Sequence, residues 1–291
     1  MPLREQLRNT TMLAGMVGSI CSVSSEAPAA DLSVLSRNSG GAAPAVDGLN
    51  GKVDGLVGSL DQRSLYAARG SLSIPLTQQW GLQIDGAGGS LAHKGFSSIA
   101  GHLFTRNPLQ GLLGIYASYT DWDMFGGIHA AQVAAEAEAY WGRWTLGGIA
   151  GVEFGNSGSN ITPVGIQPFN VKTRFTDQIN LKYYLTDNWD GYIGHRYVGG
   201  KNALALGTEF GLPIGRGQMG TAFLEGRVGS ASFEGVWGGL RVYFGQKDKT
   251  LIRRHREDDP SIYDSIQAAA NSVGAFSPFL DQVFCSKNCD K

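Results

Sequence analysis

Beyond its first thirty residues the 291-residue sequence has no uninterrupted apolar run of about 18 residues, which excludes membrane-spanning helices. It also lacks a charge excess: 24 Lys+Arg stand against 25 Asp+Glu, for a formal net charge of -1, so nucleic acid is not an expected partner. Cysteines number three, none in a Cys-x-x-Cys pair, and the histidines His93, His102, His129, His195 and His255 are scattered. That spacing gives no metal site, and no cofactor is expected. The stretch Gly215-Arg216-Gly217-Gln218-Met219-Gly220 has the form of a dinucleotide-binding glycine pattern. Without a following helix and an acidic residue on a second parallel strand, it reads as a hairpin turn.

Glycine is what the chain has in excess, 42 residues, about twice the usual share. From residue 51 onward short alternating segments are separated by turn chemistry, at roughly 52–61, 64–76, 80–91, 96–106, 110–120, 127–141, 144–155, 172–186, 189–199, 202–212, 218–229 and 234–244. This pattern predicts an all-β, antiparallel, up-and-down transmembrane β-barrel of about 12 strands, an even number that brings both ends to one side. The turns after even-numbered segments are short, whereas the opposite side carries 121–126 and the longest link, 156–171. Short periplasmic turns and longer outer loops are the usual asymmetry.

Within segments the two faces differ in character. Trp144, Leu146, Gly148, Ala150, Val152 and Phe154 oppose Thr145 and Glu153, and Phe175, Ile179, Leu181, Tyr183 and Leu185 oppose Arg174, Gln178, Asn180 and Lys182. Asp177 interrupts the apolar side of the second and is expected near a rim. In a soluble β-sandwich the charged face would look to bulk water; in a barrel in lipid it must be the lumen. The lumen-lining candidates are Arg69, Asp85, Arg106, Glu136, Glu138, Arg174, Lys182, Arg196, Glu209, Glu225, Arg227 and Arg241. Mixed charge in so confined a space either pairs into a plug or lines a narrow wet pore. Trp80, Trp144 and Trp189 each open a segment after a tight polar turn, in QQWGLQID, GRWTLGGI and DNWDGYIG, and so fall at one level, as a membrane-interface girdle requires.

Residues 1–29 read as a secretory leader, with Arg4 and Arg8, an apolar stretch over 12–23 and the site Ala27-Pro28-Ala29. A flexible lead-in at 30–50 precedes the barrel at 51–244. The remainder, 245–291, is predicted as a periplasmic tail with a helix at about 260–273: Asp259 as N-cap, Pro260 in the first position, Ile262, Ile266, Ala269 and Val273 at helical spacing, and Gly274 as C-cap. Cys285 and Cys289 could pair in an oxidising periplasm or stay separate thiols.

The last segment, GVWGGLRVYF at 235–244, resembles the closing strand of bacterial outer-membrane barrels, with Gly239, Val242 and Phe244 at the positions of an assembly signal. With the KTLIRRHRE stretch at 249–257, segments two to twelve resemble an uncharacterised porin-like group of outer-membrane barrels of Gram-negative bacteria. That resemblance implies the Gram-negative outer membrane as the location, with its lipid and the barrel-assembly machinery as partners. The expectation is a monomeric, non-enzymatic narrow pore or structural envelope protein. The alternatives are an outer-membrane lipid-modifying enzyme, for which His195 is the outward-facing candidate base without an adjacent serine, and a secreted soluble β-protein.

Overall fold

A computed structural model describes residues 43–245 and 247–278; the leader, Cys285 and Cys289 lie outside the described residues. Seven strands follow one another as antiparallel neighbours: β1 (Asn50–Leu60), β2 (Arg63–Pro75), β3 (Trp80–Leu91), β4 (Lys94–Asn107), β5 (Gly111–Trp122), β6 (Ile128–Trp141) and β7 (Trp144–Gly155). A small hairpin, β8 (Ser157–Thr162) and β9 (Gly165–Asn170), stands apart from the ring. The series then resumes with β10 (Arg174–Thr186), β11 (Trp189–Val198), β12 (Lys201–Gly215), β13 (Gln218–Gly229) and β14 (Glu234–Phe244). β14 pairs back onto β1, from Gly51 opposite Phe244 to Leu60 opposite Gly235, and closes a twelve-stranded barrel. Closure leaves no strand edge, so every backbone polar group in the wall finds a partner without water.

The pleat sends alternate residues outward, and these are apolar. Val53, Val57, Ile99, Ile115, Leu206 and Leu240 are each at least half exposed. A continuous belt of this kind is far larger than the apolar patches soluble proteins carry, and it is the lipid-facing surface of a membrane-spanning barrel of the outer-membrane type. The turns at 76–79, 108–110, 142–143, 187–188 and 216–217 mark the short-turn, periplasmic end; the long connections 123–127 and 156–173 mark the outer end. Trp80, Trp144 and Trp189 open β3, β7 and β11 at the short-turn end. Trp144 packs on Tyr183 with ring centres 4.6 Å apart, and Trp189 Nε1 donates to Thr208 Oγ1 at 2.9 Å.

Two features depart from the sequence expectation. The link at 156–171, rich in Gly, Ser and Asn, folds into the β8–β9 hairpin, with Ser157 opposite Asn170 and Thr162 opposite Gly165. Its partner is remote in sequence: β15 (Ser277–Pro278) adds to β9 as a third strand, which no local pattern could signal.

The second departure concerns the tail. Predicted outside the barrel on the periplasmic side, it is directed back by residues 247–250 and runs up the lumen. Helix α1 (Leu251–Glu257) lies at the inner mouth, 258–265 climbs without regular structure, and helix α2 (Ile266–Asn271) fills the outer part. The single helix at 260–273 does not form because the wall competes for its backbone. In that helix the Pro260 carbonyl would accept the Asp264 N–H. Instead Pro260 O accepts Lys52 Nζ at 2.6 Å and Gln83 Nε2 at 3.4 Å, while the Asp264 N–H goes to Gln178 Oε1 at 3.4 Å. Close approach is needed where α2 meets the outer turn of β11 and β12: Gly199, at φ 62°, could not carry a Cβ, which would sit 2.2 Å from Asn271 Cβ.

Two exposed isoleucines separate membrane from water. Ile115→Arg, mid-strand in the lipid belt, should cost about 2–4 kcal/mol of folding free energy in liposomes. Ile161→Arg, on the outer hairpin and 71% exposed, should cost under about 0.5 kcal/mol. Urea titrations of the two variants folded into vesicles check this.

Candidate functional site

The lumen and the tail form one site, built in levels from the inner mouth outward. At the mouth, Lys249 Nζ meets Asp47 at 3.0 Å, Glu257 at 3.1 Å and Asp258 at 2.5 Å, and Lys247 Nζ donates to Asp47 at 2.8 Å. Burial raises the Asp47 carboxyl, but Lys247 and Lys249 outweigh it and hold the group below its ordinary value. Burial likewise lowers Lys249, but Asp258 and Glu257 outweigh that and raise it. The Asp47 contribution to stability is therefore present above the ordinary aspartate value and lost as pH falls through the depressed one. The Lys249 contribution is present below the ordinary lysine value and lost as pH rises through the raised one, so both hold at neutral pH. Arg256 anchors α1 by donating to the carbonyls of Gly142 and Trp144 at 3.0 and 2.7 Å, and Ile252 N donates to Asp187 O at 3.0 Å.

Above the mouth, His255 sits among the wall residues Lys182, Tyr184, Asp190, Glu209, Arg241 and Tyr243. Lys182 Nζ at 3.2 Å and Tyr184 Oη at 2.8 Å face its Nδ1, and Tyr243 Oη lies 2.9 Å from Nε2. Tyr243 in turn donates to Glu209 Oε1 at 2.9 Å. A neutral ring with its hydrogen on Nε2 fits these partners: Lys182 and Tyr184 share the single lone pair on Nδ1, and Tyr243 accepts from Nε2 and passes a hydrogen on. Asp190, Glu209 and His255 bring ligand-type atoms within 4.8 Å of one another, but Lys182 lies 3.6 Å from Asp190 and Arg241 binds Glu209 at 2.8 Å. Those two side chains already neutralise the carboxylates, so the cluster is a salt-bridge network.

Mid-lumen, the fully buried His102 bridges two carboxylates, Nδ1 to Glu136 at 2.8 Å and Nε2 to Asp85 at 3.0 Å. Both nitrogens face acceptors only, the arrangement of a ring carrying hydrogen on each. The tail's Tyr263 donates to the other oxygen of Glu136 at 3.2 Å and stacks on His102 with ring centres 5.9 Å apart. One residue on, Asp264 accepts Arg69 Nη1 at 3.2 Å and also binds Arg227. Asp54 holds the far sides of Arg69 and Arg241 at 2.7 and 2.9 Å; Glu225 takes Arg227 at 2.6 Å and Arg196 at 3.5 Å.

The outer part of the lumen is apolar. Leu56, Leu60, Leu65, Phe96, Trp122 and Trp237 form a buried cluster with Ile266, Ala268, Ala269 and Ala270 of α2. Removing the Ile266 side chain from water alone is worth about 1.5–3 kcal/mol. Beside it a small space remains between the tail and the wall, lined by Leu56, Leu65, Phe96, Trp237, Ile262 and Ile266, with Arg69, Asp85 and Arg227 at its polar side. Beyond α2 the chain leaves along the outer hairpin: Asn170 N donates to Ser272 O and Gly274 N to Pro168 O, each at 2.9 Å.

The structure places all twelve lumen candidates on the inner face, nine of them in two groups. Arg69, Asp85, Glu136, Arg196, Glu225 and Arg227 gather around 263–267, and Lys182, Glu209 and Arg241 around His255. Of the others, Arg106 donates to Asp258 O at 3.2 Å, Glu138 accepts Tyr140 Oη at 2.5 Å, and Arg174 pairs with Glu153 at 3.0 Å nearer the outer mouth. Lys52, Asp54, His102, Glu153 and Asp190 belong to the same network and were missed. Each shares parity along its strand with a residue that was singled out or with a polar neighbour, as His102 does with Arg106, and parity was the signal that could have found them. The four tail residues that matter most, His255, Pro260, Tyr263 and Asp264, carried no such signal. His195 points outward and its Nδ1 lies 2.7 Å from Asp177 Oδ1, so the aspartate that interrupted the apolar face is paired. Gly239 and Val242 are half-buried and Phe244 exposed in β14, with Val242 and Phe244 on the outward register.

No protein-family profile matches the sequence, and no curated protein matches it. In fold it is similar to a membrane protein crystallised in meso, with a TM-score of 0.52 and 10% identity over 78% of this chain and 100% of that one. At that identity the likeness shows the barrel fold alone. Looser likenesses are to an outer-membrane channel of Pseudomonas putida F1, at TM-score 0.49 and 13% identity over 71% of this chain and 98% of that one. Another is to the translocator domain of the autotransporter NalP from Neisseria meningitidis, at 0.46 and 14% over 74% and 91%.

Asp264 is the tail's main electrostatic tie to the wall. Asp264→Ala removes a carboxylate shared by Arg69 and the fully buried Arg227, which keep Asp54 and Glu225 as partners, so the cost is that of lost charged hydrogen bonds, about 1.5–3 kcal/mol. Chemical denaturation in detergent micelles should show a loss of that order, with the barrel's strand content unchanged by circular dichroism.

Proposed function

We propose that this protein is a narrow outer-membrane channel held shut by its own C-terminal tail. It sits as a monomer in outer-membrane lipid, placed there by the barrel-assembly machinery acting on Gly239, Val242 and Phe244 of the closing strand. The observation that carries the reading is the occupied lumen: a charged, water-compatible inner wall whose bonding groups are turned onto residues 249–273 of the same chain. Twelve strands lie between the eight-stranded barrels that side chains fill and the sixteen-stranded ones that conduct freely. At this size a single peptide segment is enough to decide between open and closed.

The wall itself is balanced. Asp54, Glu153, Asp190 and Glu209 offset Arg69, Arg174, Lys182 and Arg241, so an emptied lumen would favour neither ion strongly. In planar bilayers the full chain should be electrically silent, and a variant ending after Gly245 should give discrete conductance steps with a reversal potential near zero in a salt gradient. A folded, heat-modifiable, tail-less barrel that stays silent would remove the channel reading and leave a structural envelope protein.

A further inference from the structure

The chain crosses its own barrel from one end to the other. β14 ends with Phe244 at the short-turn end, where Lys249 is fixed to Asp47. At the opposite end Val273 bridges to Phe169, and Ser277 and Pro278 pair with Ile166 and Gly165 on β9. Strands of 12 residues tilted by about 40° give a wall about 30 Å tall. Two short helices with six residues between the caps Asp258 and Ser265 can span about 40 Å, so the path is long enough. The contacts along it are distributed over the whole height: Arg256 at the inner turns, Tyr263 mid-lumen, α2 in the apolar part and Gly274 on the outer hairpin. A tail lodged only in the inner mouth would make the first of these and none of the last.

We infer that the barrel carries its own chain through the lumen to the cell surface: residues 274–278 lie outside the outer membrane, docked as an added strand on the β8–β9 hairpin. The inference rests on the outer-membrane placement of the preceding reading but not on conduction. Its partner surface is built in, since β9 offers a free edge and Asn170 N, Pro168 O, Ile166 and Gly165 bind the emerging backbone. Phe276, 44% exposed beside that edge, is the first large apolar side chain the segment presents outside.

Three versions of the full chain test it, each with one epitope tag: after Lys291, between Pro163 and Val164 at the tip of the hairpin, or between Pro108 and Leu109 in an inner turn. Each is checked for folding by its migration before and after boiling and then stained on intact and permeabilised cells. The C-terminal tag should stain on intact cells as strongly as the hairpin tag and gain nothing on permeabilisation, whereas the 108–109 tag should appear only afterwards. A C-terminal tag visible only after permeabilisation, with the hairpin tag visible before, would overturn the inference and leave the channel reading standing. If the hairpin tag is hidden and the 108–109 tag exposed, the barrel is inverted and both readings fall.

Discussion

The pairing of β1 with β14 is the interaction on which the rest of this molecule depends. Until Gly51 meets Phe244 and Leu60 meets Gly235 there is no inside and outside, only a curved sheet with one apolar face and one charged face. Closure turns the apolar face toward lipid and confines Arg69, His102, Glu136, Arg227 and Arg241 within a space too narrow for each to keep its own water. From that point every inward charge must find a partner, because an unpaired charge in such surroundings is far more costly than a paired one.

The tail answers that demand in part. Wall residues pair among themselves, as Asp54 does with Arg69 and Arg241 and Glu225 with Arg196 and Arg227, but they leave donors and acceptors pointing at the axis. Asp264, Tyr263 and the Pro260 carbonyl fill those positions. Buried ion pairs return little net stability once desolvation is counted, so this network fixes where the tail sits more than how tightly it is held. The holding comes from the outer part of the lumen, where α2 is packed among leucine, phenylalanine and tryptophan side chains. Polar register below and apolar grip above divide the two tasks between the ends of one segment.

Because the closing strand is followed by more chain, the tail must lie within the ring when β1 and β14 meet or be drawn through it afterwards. Its make-up suits either order: α1 and α2 are only 7 and 6 residues long, and the stretch between them carries side chains of moderate size. A single long helix at 260–273 would have left Pro260 O and the Asp264 N–H to each other and the wall donors Lys52 and Gln83 with nothing to bind.

Strand number, direction, inside and outside were all written locally. Alternation in β7 and β10, the tryptophans opening β3, β7 and β11, and short turns at one end follow from two-residue periodicity and turn chemistry, which need no knowledge of distant parts of the chain. The lumen list was legible for the same reason, and its omissions, His102 and Asp54 among them, were residues of the right parity judged singly. The path of the tail was not legible. Residues 259–274 carry a sound helix pattern, and only the closed ring supplies the donors at Lys52 and Gln83 and the acceptor at Gln178 that outbid helical hydrogen bonding. Likewise β9 acquires Ser277 and Pro278 as a partner from more than a hundred residues away. The sequence by itself determined a barrel, because period two is a property of neighbours. Only the tertiary structure decided that the barrel is filled by its own chain, because what fills a cavity depends on groups that meet after the wall has closed.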